Sequence, residues 1–240
     1  MYRKELAYYF STPIAYIVIG LYQLAVALLL WVVPGEYNIP VSGYAQVDGL
    51  FQLSPILFMF LCPAVCMRLI AEERQTGTWT LLATKPVSIT HIVLCKYAAA
   101  LTLIVLAQLP CIIHYILVYN IAQPVGNIDS GAFFGGMMGL VFLSAAYSAI
   151  SLWASSLSKS QIVTFIIALA LCFVFYYGFD LMAMLFANGN ISTAVSFLGL
   201  HAHYDAMMRG VIDMQDVAWF LTISFLFILL TIIRLDKIED

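Results

Sequence analysis

A chain of 240 residues that is 63% hydrophobic and only 10% charged cannot clothe a water-exposed surface, since soluble domains carry about 25% charged residues. With a mean hydropathy of +0.98, it has the composition of an integral membrane protein. The formal net charge of −3 is spread without a basic patch for nucleic acid or an acidic run for a solvated tail, so the expected partner is the lipid bilayer and not nucleic acid.

Residues 1–13 set Arg3, Lys4 and Glu5 beside Tyr2, Leu6, Tyr9 and Phe10, the pattern of an amphipathic helix lying in the membrane interface. Residues 14–33 follow as a first span, about the 20 residues needed to cross a ~30 Å hydrocarbon core. The stretch is too long for a signal-peptide apolar region and reads as a retained helix. Residues 34–49 are rich in turn formers and form a loop on the opposite face. A second span over 50–70 contains Pro55 and Pro63, which predict kinks, and its apolar run continues without a breaker into AEERQT. The segment 71–91 carries charges of both signs and must lie in water. Spans over 92–119, 132–157 and 161–186 follow, the last two joined only by a short polar link at residues 158–160 and hence antiparallel. Residues 187–216 are too polar to span and too apolar for a plain loop, so they read as short external interfacial or re-entrant helices. The final span covers 217–233. The whole is a single all-α integral membrane domain, 1–240, with six transmembrane helices.

With six spans both termini share a side. That side collects Arg3, Lys4, Arg68, Arg74, Lys85, Lys96, Lys159, Arg234 and Lys237, whereas the other holds Arg209 alone. Such a bias places both termini in the cytoplasm and residues 187–216 outside. Glu36, Asp48, Asp129, Asp205, Asp213 and Asp216 all fall in external loops, and Asp180 falls near the outer end of the fifth span. No carboxylate is left at mid-membrane, which argues against an ion-coupled carrier.

Few motifs carry chemistry. There is no G-x-x-x-x-G-K-[ST] loop, so the chain does not hydrolyse ATP by the P-loop route, and no catalytic residue or metal site is expected. Cys62, Cys66, Cys95, Cys111 and Cys172 lie inside or at the edge of apolar segments and form no disulfide framework. His201 and His203, two apart, point some 200° apart on a helix, which disfavours one shared metal ion. His114 reads as a hydrogen-bonded interior residue. Gly135, Gly136 and Gly139, with Ser144, Ala145 and Ala146, permit close helix packing, a candidate subunit interface.

The segment after the second span has the form of a docking device. Glu72, Glu73 and Arg74 offer charge, Gly77 turns the chain, Trp79, Leu81 and Leu82 offer apolar anchors, and Pro86 stops the run. At these residues the sequence resembles the membrane subunits of type-2 ABC transporters, whose cytoplasmic stretch reads E-x-x-x-G-T-x-x-L-L, then a proline, then a lysine opening the third span. Glu73, Gly77, Thr78, Leu81, Leu82, Pro86 and Lys96 take those positions, with departures at Thr80 and Cys95. Within that family, KELAYYFSTPIAYIVIG and GLVFLSAAYSAISLWASSLSKSQIV resemble the GldF-type gliding-motility permeases of the Bacteroidetes.

The resemblance implies a permease subunit of an exporter-type complex in a bacterial inner membrane. Two copies of a separate ATPase would hold ATP and magnesium and dock on the coupling segment, while this chain binds no cofactor. A second permease subunit, identical or different and in gliding systems bearing a large external domain, would complete the path. Gln23, Gln108 and His114, polar at membrane depth, are the candidate path-lining residues. The alternatives are a non-transporting anchor for envelope proteins and an ion-independent carrier.

Overall fold

The computed structural model describes residues 1–79, 88–186 and 189–239. It is all-helical, 80% helix with no strand among the described residues. Six helices among those residues are long and apolar enough to cross a membrane: Ile14–Val32, Asp48–Gln75, Ile89–Ile121, Ser130–Leu157, Gln161–Ala183 and Met214–Lys237. They are numbered here as spans one to six.

Their ends follow from local chemistry. The Asp129 carboxylate accepts from the Ala132 amide at 2.9 Å and starts the fourth span, and Ser88 does the same for the third by accepting from the His91 amide. The third span therefore opens at Ile89 and not near 92, which puts Lys96 two turns inside it. Pro110 divides this span into Ile89–Gln108 and Cys111–Ile121.

The second span differs from expectation. It is not continuous into AEERQT: regular helix stops at Cys66, residues 67–70 form a turn, and a short helix resumes over Ala71–Gln75. Ser155 of the fourth span holds this break together. Its hydroxyl accepts from the Ile70 amide at 3.2 Å and the Ala71 amide at 3.1 Å, and donates to the Met67 carbonyl at 3.2 Å. Three backbone groups that a regular helix would pair internally are thus paired by one side chain.

The fourth span is the centre of the bundle. In its most apolar window 72% of residues are buried, against 28% for the first span. Its glycines explain how neighbours come so close. A Cβ on Gly135 would stand 2.7 Å from Gly210 Cα and from the Met207 carbonyl, and one on Gly136 would meet the Phe51 ring at 2.6 Å. These small residues therefore pack against other parts of the same chain, which corrects the reading of them as a subunit interface.

The N-terminal helix, Tyr2–Ser11, lies along the third span. Tyr2 and Thr102 share a hydrogen bond of 3.0 Å between their hydroxyls, and Tyr9 donates to the Val65 carbonyl at 3.2 Å. Burial pushes the Tyr9 phenol well above its ordinary range, so it stays a donor.

Between the fifth and sixth spans run two short helices, Gly189–Ser196 and Leu200–Met208. The second of them packs on Gly135 and Gly139, and Tyr204 donates to the Phe51 carbonyl at 2.8 Å. Gly135→Ala, which forces backbone against backbone, is expected to lose about 1–3 kcal/mol of stability. Gly20→Ala, with nothing within 4 Å of the added methyl, should melt at or slightly above the parent temperature. Thermal unfolding of the two variants in one detergent checks the contrast.

Candidate docking and coupling site

The end of the bundle that carries Arg68 also carries the N-terminal helix and the close of the fourth and sixth spans. Here Arg74 donates from its guanidinium to the Ser156 carbonyl, and Arg68 Nε donates to Glu72 at 2.8 Å while an Nη2 hydrogen reaches the Tyr8 hydroxyl at 2.9 Å. Arg234 lies near enough to Arg74 to repel it.

At the centre of this end is Lys96, only 2% exposed. Its ammonium donates to Glu5 at 3.1 Å and to Glu73 at 2.7 Å. An unpaired ammonium buried among apolar side chains would be expelled or neutralised, so the two carboxylates are the condition for its burial. They come from different elements. Glu5 belongs to the N-terminal helix, Glu73 to the short helix after the break, and Lys96 to the third span, so one charge cluster ties all three together.

Beyond Glu73 the chain turns at Gly77, whose φ of +74° is the left-handed conformation that glycine adopts without a side-chain clash. The turn is braced from within: Thr76 donates to the Glu72 carbonyl at 2.9 Å and Thr78 to the Glu73 carbonyl at 3.3 Å. Gln75, Thr76, Gly77 and Thr78 are exposed, and Glu72, Glu73 and Arg74 are half-buried. Trp79 is not. At 5% exposure it belongs to the chain's own core, so its indole supports the turn from below and does not face outward as an anchor. Leu81, Leu82 and Pro86 lie outside the described residues.

The candidate path residues are engaged inside the bundle. Gln23 donates to the Ala107 carbonyl at 2.7 Å, next to the Pro110 interruption where backbone acceptors need partners. Gln108, fully buried, donates at 3.4 Å to the Leu140 carbonyl and to Ser144. His114 accepts from the Trp31 indole at 3.1 Å. All three thus act as helix-to-helix links in this arrangement of the chain.

At the opposite end the two histidines go to separate carboxylates. Asp180 accepts from His201 at 2.7 Å, and Asp216 accepts from His203 at 2.6 Å. The other ring nitrogen of His203 meets the Phe197 carbonyl at 2.8 Å, and its ring stacks on Trp219. Among the described residues no group of three His, Cys, Asp or Glu side chains is placed to hold a metal ion. The pairs instead pin the helix Leu200–Met208 to the fifth and sixth spans.

Residues 12–235 match the family profile described as ABC-2 family transporter protein. The chain belongs to that family. No curated protein matches it. As an ABC-2 member the chain is the multi-pass membrane permease subunit of an ABC transporter and not its ATPase, and the family implies an ABC ATPase partner and a dimeric arrangement. Sequence reasoning placed the turn but missed the cluster behind it. Glu5 shares the 2, 5, 9 face of the N-terminal helix with Tyr2 and Tyr9, and that spacing was its one available signal. Ser155 had none, being one of several serines in an apolar span.

Two stability measurements probe these ion pairs. Lys96→Met, which strands two carboxylates, should lower stability by on the order of 3 kcal/mol, and adding Glu5→Gln and Glu73→Gln should restore more than half of it. A single variant that melts like the parent would show that the cluster holds nothing together. His203→Ala, which leaves the buried Asp216 unpaired, should likewise lose on the order of 3 kcal/mol, whereas His201→Ala at the more exposed pair should lose less than about 1 kcal/mol.

Proposed function

We propose that this ABC-2 permease receives its ATPase on the exposed turn at Gln75–Thr78, flanked by Glu72, Glu73 and Arg74, with Leu81, Leu82 and Pro86 continuing the docking segment. The observation that carries this reading is the fastening of the turn. Any displacement of it pulls on the N-terminal helix and third span through Lys96, and on the fourth span through Ser155 and the Arg74 contact with Ser156. A surface loop built only to be solvated needs no such ties.

In this reading two ATPase subunits bind ATP and magnesium, and their closure rocks the spans between two arrangements, a bistable rigid-body change. The permease pairs with a second copy or a related subunit. Both termini and the turn face the cytoplasm of a bacterium, because one end of the bundle gathers nearly all the lysines and arginines and the other gathers most of the aspartates. The external helices between the fifth and sixth spans dip into the outer leaflet. Gln23, Gln108 and His114 line a path only in an arrangement that breaks their present bonds. The likeness of the N-terminal and fourth-span segments to GldF-type permeases makes gliding motility, or export tied to it, the process served. A mechanical anchor using the same ATPase remains the second reading, since Gln23, Gln108 and His114 are each bonded to a neighbouring helix.

Affinity purification in mild detergent tests the docking. An ATPase should co-purify with the parent chain and fall by about tenfold, the equivalent of roughly 1.4 kcal/mol, in a Gln75→Lys, Thr78→Lys variant that keeps its melting temperature. Glu73 is left untouched so that the Lys96 cluster survives. Equal recovery of the ATPase with both chains would remove the turn from the interface.

A further inference from the structure

Between the N-terminal helix and the second span opens a cleft of about 210 Å3. Three cations, Lys4, Arg68 and Lys96, and three carboxylates, Glu5, Glu72 and Glu73, line it, so its ionisable groups sum to zero formal charge. They are not equally committed. Lys96 is spent on Glu5 and Glu73. Arg68 uses Nε and Nη2 on Glu72 and Tyr8, which leaves its Nη1 hydrogens, of the five a guanidinium carries, without a partner among the described residues. The Lys4 ammonium likewise has no partner among those residues, and Glu72, about a third exposed, keeps lone pairs to spare. The cleft thus presents two unspent donor groups beside a carboxylate rim.

The apolar side of the cleft is formed by Ile14, Val65 and Leu69. Ile14 is the first residue of the first span, and from it an exposed stripe descends at helical spacing: Ile17, Leu21 and Leu24 are 59%, 55% and 60% exposed. A charged cleft at the mouth of an apolar track is the shape of a lipid site, with the headgroup in the cleft and acyl chains along the track.

We propose that this cleft binds the headgroup of a phospholipid bearing a primary ammonium, of the phosphatidylethanolamine type. Its phosphate lies on Lys4 and the free side of Arg68, and its ammonium donates to the carboxylate rim at Glu72. An anionic headgroup without an amine would satisfy the cations but leave its own charge beside three carboxylates. A choline headgroup would match the charge but has no N–H to donate. The site ties the N-terminal helix to the second span through a lipid, and it does not depend on the docking proposed above.

The test uses the intact purified chain, delipidated and offered phosphatidylethanolamine, phosphatidylcholine or phosphatidylglycerol, with native mass spectrometry reading bound lipid. Ethanolamine lipid should be retained about tenfold over either competitor, as expected for one charge-assisted hydrogen bond made or lost. That preference should collapse in Lys4→Gln, Arg68→Gln and persist in Lys159→Gln, an exposed lysine on the link between the fourth and fifth spans. Equal retention of the three lipids by the parent chain would overturn the proposal without recourse to any variant. So would a preference that survives the double substitution. Soluble glycerophosphoethanolamine binding as well as the lipid would show that a free phosphate ester, and not a lipid, is the ligand.

Discussion

A lysine that must be buried organises one end of this protein. Lys96 sits two turns inside a membrane-length helix, where an ammonium alone is untenable, and it is tolerated because Glu5 and Glu73 are brought to it from opposite directions along the chain. That requirement fixes the N-terminal helix against the third span and aims the segment after the second. The exposed turn at Gly77 is held where it is because the residue four positions before it cannot leave Lys96 without stranding a charge.

The remainder of the bundle is arranged around the fourth span by a different economy, that of volume. Glycines at 135, 136 and 139 let the segment from Tyr204 to Gly210 approach to backbone distance and the Phe51 ring of the second span lie against the helix, while Ser155 further along it supplies hydrogen bonds where the second span breaks. One span therefore serves as a spacer at one end and as a splint at the other. The ion pairs that tie elements together differ between the two ends: Lys96 with two glutamates at one, histidines with aspartates at the other.

The spans themselves were legible because twenty-residue apolar runs are a property of composition, which no tertiary contact can reverse. The turn at Gly77 was legible for the same local reason, as glycine after a charged run. Lys96, Ser155 and Trp79 were not. Whether a lysine near a span end faces water or two distant carboxylates depends on residues 23 and 91 positions away. Whether a tryptophan in a polar segment points outward or inward depends on the bundle beneath it. The break at residues 67–70 has no breaker in its own sequence, since its stabilising group lies on another helix.

That break makes the second span a jointed rod. A continuous helix resists bending along its whole ladder, but here the ladder is already open, and the joint is closed by three exchangeable bonds to a single hydroxyl, each with a net value of about 0.5–1.5 kcal/mol. A small tilt of the piece beyond the joint can re-form the Ser155 bonds at little cost while its tie to Lys96 holds and the piece before the joint stays packed. A subunit that must change shape without unfolding a transmembrane helix would have its softest point here.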